Sequence, residues 1–180
     1  MNSFRANSRV RSAGQVVRVI TTALVERDGY LLLTQLAAGR FAGFWLLPSA
    51  TAEEGTVEQT SLRMVWERTG YPVLEQQLVS VIEEPKPGVL ALRFLFRSRV
   101  GERDAAVSDP EIAQTRWFSR AAVREVLAER DVVPNLGVMS VLRAWAEGAT
   151  PRPLELLVED TPCPCGTGFG YRGCCGWDAR

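Results

Sequence analysis

Along the first half of the chain, apolar positions fall into short runs broken by turn residues. Val16 to Val25 is rich in Val, Ile and Thr, and Asp28-Gly29 separates it from Tyr30-Leu31-Leu32-Leu33-Thr34. That pattern predicts a β-hairpin, because a tight hairpin turn needs residues that tolerate positive φ. Phe41 to Leu47 reads as a short apolar strand or turn ending at Pro48. From Val57 to Thr69 there is no Gly or Pro, and Val57, Ser61, Leu62 and Val65 recur at helical spacing. Gly70 supplies a stop and Pro72 forbids continuation. Two strand-like runs follow, Leu78–Ile82 and Val89–Phe96, joined by a turn at Pro85-Lys86-Pro87-Gly88. Arg93 and Arg97 interrupt the second run, so part of it should face solvent or a ligand. Trp117-Phe118 leads to a helix over Arg120–Arg130 with Ser119 as N-cap. A last amphipathic helix, near Asn135–Glu147, carries Leu136, Met139, Leu142 and Trp145 on one stripe.

These elements predict an α/β domain over residues 16–148, preceded by a polar, basic tail (1–15) and followed by a Pro-rich linker (149–161) and a Cys-rich unit (162–177). The 180 residues are 46% hydrophobic with zero formal charge, which excludes disorder for the whole. The absence of histidine excludes Ser-His-Asp triads, Cys-His dyads and His-ligated metals. The longest apolar runs are far short of the ~20 residues a membrane helix needs. Met1–Val10 lacks the apolar core of a signal peptide, so the expected compartment is the cytoplasm. All four cysteines lie between Cys163 and Cys175, a clustering that favours metal ligation over disulfides there.

The order hairpin, Leu-Pro turn, helix, two strands, Trp-Phe and helix resembles the Nudix family. The resemblance is carried by Gly43-Phe44-Trp45-Leu46-Leu47-Pro48, Glu53-Glu54-Gly55, Arg63-Met64-Val65-Trp66-Glu67-Arg68-Thr69-Gly70, and Asp109-Pro110-Glu111 with Arg116-Trp117-Phe118. It implies an α/β/α sandwich around a mixed sheet. It also implies a helix whose Arg-Glu-apolar-x-Glu-Glu-x-Gly box binds Mg²⁺ or Mn²⁺ against a pyrophosphate and helps activate water. Here Arg63, Val65, Glu67 and Gly70 match that box, but Met64 and Arg68 replace two of its glutamates. Both departures fall on one i, i+4 stripe. Ser49-Ala50 stands where two glycines are usual. The stretch from Gly55 to Arg63 is one residue short, leaving the early Glu without a clear match. A hard cation needs several oxygen ligands. A like charge at ~4 Å and an effective dielectric near 20 repels by roughly 4 kcal/mol per charge pair.

Two readings of the altered box stand side by side. Arg68 contacts a diphosphate directly through its planar fork, or Met64 is extra core while Arg68 pairs with a carboxylate such as Glu54 or Glu58. Other candidates are Glu53 and Glu54 as relocated metal ligands, Glu67 and Glu111 as catalytic carboxylates, and Arg63, Arg93, Arg97 and Trp45 as ligand contacts, with Arg93 and Arg97 on one strand face as a phosphate-facing pair. Each has an ordinary counterpart: helix-dipole acids, a solvated loop acid, surface arginines and a core aromatic.

The segment Cys163-Pro-Cys165-Gly-Thr-Gly-Phe-Gly-Tyr-Arg-Gly-Cys174-Cys175-Gly is similar to the SEC-C motif. Four thiolates make a closed, structural zinc site, and so short a unit depends on its metal for folding. The resemblance implies a docking patch for a protein or the ribosome, with Phe169, Tyr171, Arg172 and Trp177 as contact groups. The expectation is therefore a non-hydrolytic Nudix protein, an adaptor or sensor. It binds a nucleotide or nucleoside-diphosphate derivative and holds structural zinc. The alternative is a hydrolase using Mg²⁺ or Mn²⁺ on rearranged carboxylates, and a scaffold without ligand is a third class.

Overall fold

Strand β1 (Val16–Arg27) turns into β2 (Tyr30–Leu36) through Asp28 and Gly29, whose φ values of 50° and 79° are the two positive angles the tight turn requires. The computed structural model describes residues 16–86 and 89–149. The chain continues through β3 (Trp45–Leu46), β4 (Ser49–Thr51), α1 (Val57–Thr69), β5 (Val73–Lys86), β6 (Val89–Val100), β7 (Ile112–Phe118), α2 (Arg120–Glu129) and α3 (Leu136–Ala146). The sheet runs β3-β2-β1-β6-β5, with β4 added to β1 and β7 to β2. It is mixed: β1 and β6 pair in parallel from Val16↔Val89 to Glu26↔Arg99, while β5 and β6 pair antiparallel.

Successive strand residues point to opposite faces, and the burial follows that rule. Leu24, Leu31, Leu33 and Leu95 join Val123, Met139, Leu142 and Trp145 of α2 and α3 in one core. Ala23, Val25, Leu32 and Val100 join Met64 and Val65 of α1 in another. One face of the sheet therefore packs on α1 and the other on α2 and α3, a three-layer α/β arrangement. Each fully buried Leu contributes roughly 1.5–3 kcal/mol relative to exposure, so these two seams hold the layers together.

Helix α1 begins with a capping box: Thr56 Oγ1 accepts from the Gln59 amide, and the Gln59 side chain accepts from the Thr56 amide. It ends at Gly70, whose φ of 73° is the left-handed stop expected from sequence. Its buried stripe is Thr60, Ser61, Met64, Val65 and Thr69, whereas Leu62 is exposed. Of the expected set Val57, Ser61, Leu62 and Val65, Ser61 and Val65 face the sheet, and Met64 with the small polar residues Thr60 and Thr69 completes the buried stripe that Leu62 leaves. The N-caps Ser119 and Asn135 of α2 and α3 accept from the amides of Ala122 and Val138.

Two strands are longer than the apolar runs suggested. β5 extends through Pro85, opposite Leu90 of β6, and through Lys86, so Pro85 and Lys86 belong to the strand and not to the expected turn. β5 is an edge strand, where a proline is tolerated because no ladder bond need be lost. The basic tail, nearly all of the Pro-rich linker, and the Cys163–Cys175 motif lie outside the described residues. Among the described residues no helix is long and apolar enough to cross a membrane.

Candidate functional site

The last turn of α1 is stitched to the loop that leads from β6 into β7. The Asp104 and Ala105 amides donate to the Gly70 carbonyl, and the Ser108 and Asp109 amides donate to that of Glu67. The loop lies so close that a Cβ on Gly70 would stand 2.1 Å from the Ala105 oxygen. This contact brings two carboxylates, over forty positions away in sequence, to Arg68. Asp109 Oδ2 lies 2.9 Å from Arg68 Nε, and Glu111 Oε2 accepts from Arg68 Nη2 at 2.8 Å. Asp109 is further tied down, since its Oδ1 accepts from the Glu111 amide at 2.8 Å.

Arg68 and Glu111 lie on the rim of a cleft of about 310 Å³, which Ser49, Thr51, Arg93 and Asn135 also line. Its floor holds a buried ion pair. Arg93 Nε donates to Glu84 Oε1 at 2.7 Å and Nη2 to Oε2 at 3.3 Å, while Nη1 donates to Thr22 Oγ1 at 2.7 Å. Asn135 Nδ2 donates to the same carboxylate. Arg93 and Glu84 are each 6% exposed. A buried charge is tolerated only when paired and hydrogen-bonded in this way, so Arg93 is a buried group with a fixed partner and not a surface arginine.

The other sequence candidates are dispersed. Met64 is buried in the α1 core at 2% exposure, so it offers no ligand to the cleft. Arg68 pairs with Asp109 and Glu111, not with Glu54 or Glu58: the β6–β7 loop, which sequence spacing could not place, reaches it instead. Glu67 and Arg63 are exposed on α1, and Glu53 and Glu54 are exposed before it; none lines the cleft. Trp45 is 6% exposed and packs edge-on against Phe118 with ring centres 4.8 Å apart, which makes it core. Arg97 shares a strand face with Arg93 but lies at the far end. There it lines a second cleft of about 870 Å³ and pairs with Glu26 at 3.0 Å. The two arginines therefore do not form one phosphate-facing pair. In that second cleft the Arg99 guanidinium, by its hydrogen bond and then its charge, holds the exposed Glu75 carboxyl below its usual value, and Glu75 in turn raises Arg99.

Glu84, Thr22 and Asn135 escaped the sequence reading. The available signal was an acid, Glu84, in an otherwise strand-like run one strand away from an interrupting arginine, and only the sheet register makes that a pair.

The family model described as the NUDIX domain matches residues 15–136. The chain belongs to the Nudix family. Among solved structures, a NUDIX hydrolase from Nitrosomonas europaea is 25% identical, covering 78% of this chain and 95% of that one with a TM-score of 0.62. The MutT protein from Bacillus halodurans is 22% identical, covering 76% and 85%, with a TM-score of 0.57. The NUDIX domain of Shewanella oneidensis NrtR, solved with ADP-ribose, is 18% identical, covering 62% and 77%, with a TM-score of 0.50. No curated protein matches significantly.

Nudix hydrolases generally use Mg²⁺ or Mn²⁺. The donor set here does not fit such an ion. Of the charged side chains lining the cleft, Arg68 and Arg93 are cations and Glu111 alone is an anion. Among the described residues, no three Asp, Glu, His or Cys side chains converge to hold a metal. A hard divalent cation takes about six or more oxygens, and the permanently charged guanidinium of Arg68 repels it.

Proposed function

We propose that this Nudix protein binds a nucleotide or nucleoside-diphosphate derivative in the cleft beside α1, with Arg68 as an anion contact, and does not hydrolyse it by carboxylate-held metal. One observation carries the reading. The i, i+4 stripe of α1 that would present carboxylates instead presents a buried thioether and a guanidinium that already holds two carboxylates of its own. A planar guanidinium suits phosphate oxygens, and the ADP-ribose reported with the NrtR domain supports the ligand class. The ligand-contact role is proposed for Arg68, at the rim of the cleft; Arg93 lines the floor with its donors engaged by Glu84 and Thr22, and Arg63, Arg97 and Trp45 do not line it.

Binding calorimetry with ADP-ribose, NAD and nucleoside triphosphates, with and without Mg²⁺, tests this. Saturable heat in EDTA is expected, together with no turnover in a pyrophosphatase screen with Mg²⁺ and Mn²⁺. Turnover abolished by Glu67→Gln would establish instead the hydrolase alternative, in which Glu53, Glu54, Glu67 or Glu111 act. A chain without ligand heat would be a scaffold.

The same reading extends to the C-terminus. Cys163, Cys165, Cys174 and Cys175 are proposed to hold a structural zinc whose knuckle docks on a protein or the ribosome, in the cytoplasm. One zinc per chain by elemental analysis is expected, lost in the doubly substituted Cys174→Ser/Cys175→Ser variant, and capture of the partner should be lost with it.

A further inference from the structure

Arg68 has two carboxylate partners of very different standing. The Asp109 side chain is 17% exposed, receives the Glu111 amide and lies in the loop bonded to the end of α1, so it is fixed. The Glu111 side chain is 69% exposed and makes one hydrogen bond to Arg68 Nη2 across the rim of the cleft. The Arg68 side chain is itself only 12% exposed, and it meets the two carboxylates through Nε and Nη2. Arg93, at the floor of the same cleft, has its own partners in Glu84 and Thr22.

We infer that Glu111 is a displaceable internal anion on Arg68, sitting where a ligand phosphate would sit, while Asp109 holds the guanidinium in place from behind. The inference rests on the proposed nucleotide-binding reading and adds its regulation: an incoming diphosphate exchanges with Glu111, and no divalent cation takes part. The chemistry favours exchange. The Glu111 contact is a single bond on an exposed side chain, whereas a diphosphate brings more charge and several acceptors to the Nη1 and Nη2 hydrogens. No covalent step is involved.

The consequence is unusual for a carboxylate at a binding site: removing its charge strengthens binding. In titrations of the full chain with ADP and with inorganic pyrophosphate in EDTA, Glu111→Gln is expected to bind about two- to fivefold more tightly than the unaltered protein. That is the fold-change matching the range of exposed ion pairs. The gain should shrink at high salt, where such pairs are screened. Arg68→Gln should lose binding of both probes. Glu102→Gln removes one negative charge at a side chain that is 96% exposed and pairs with Arg27, away from the cleft, and should leave affinity unchanged. Glu111 is exposed enough that its substitution leaves the fold intact, which matched thermal melts verify. Binding by the unaltered chain with equal or weaker affinity in Glu111→Gln overturns the exchange but leaves the nucleotide reading standing. An equal gain in Glu102→Gln also overturns it, because the effect would then be general charge. Silence from every form with both probes overturns both.

Discussion

Two arginines face one cleft and are held in opposite ways. Arg93 is sealed in the floor by Glu84 and Thr22, with both partners of the ion pair nearly inaccessible. Arg68 stands at the rim, gripped by a fixed aspartate and a loosely held glutamate. Burial makes the first a structural commitment that no ligand can undo, because an exposed half of that pair would be an uncompensated charge. Partial exposure makes the second negotiable. A cation meant to exchange partners belongs at a rim, and one meant to shape a floor belongs beneath it.

Substitutions separate the two sites in order of size. Arg93→Met removes the cation that faces the buried Glu84 carboxylate, leaving neutral donors such as Asn135 beside it, and is expected to destabilise the fold by about 3–5 kcal/mol, read as a lower midpoint in urea. Glu84→Gln should cost less, since an amide can still accept from Arg93. Gly70→Ala strains a left-handed residue and drives a methyl into the Ala105 carbonyl. A loss of about 1–3 kcal/mol is expected, accompanied by weaker nucleotide binding as the loop shifts. Arg68→Met should cost only about 1 kcal/mol, while abolishing ligand heat: a large functional and small structural effect, the reverse of Arg93. If Arg68→Met unfolds the chain as readily as Arg93→Met does, the contrast between rim and floor fails.

The fully exposed Glu75–Arg99 pair sets the lower end. Arg99 lowers the Glu75 carboxyl. The stabilisation is therefore present above the unfolded carboxylate's value and is lost as pH falls through the folded one. Because both groups are open to water, Glu75→Gln should leave the melting temperature nearly unchanged at neutral pH. It should flatten its acid limb only slightly.

Much of this architecture was legible because local chemistry and global fold agree. Asp28-Gly29 forces the hairpin, Gly70 ends α1 where expected, and Ser119 caps α2. The altered box could be read because Met64 and Arg68 occupy a stripe on one helix. What sequence alone withheld were the partners. Asp109 and Glu111 reach Arg68 through a loop whose path depends on tertiary hydrogen bonds, and Glu84 meets Arg93 only through the β5–β6 register. Arg93 and Arg97 looked like a pair because strand periodicity places them on one face, but periodicity says nothing about which cleft each one enters. Trp45 looked available, yet Phe118 claims it.

The loop bonded to the end of α1 carries a lesson for engineering. Restoring glutamate at positions 64 and 68 would put a new anion beside Asp109 and Glu111, which now have a guanidinium to answer, and another into an apolar seam. Helix and loop form a matched set, like a lock whose wards were recut together, so a transplanted helix would succeed only if its own loop travelled with it.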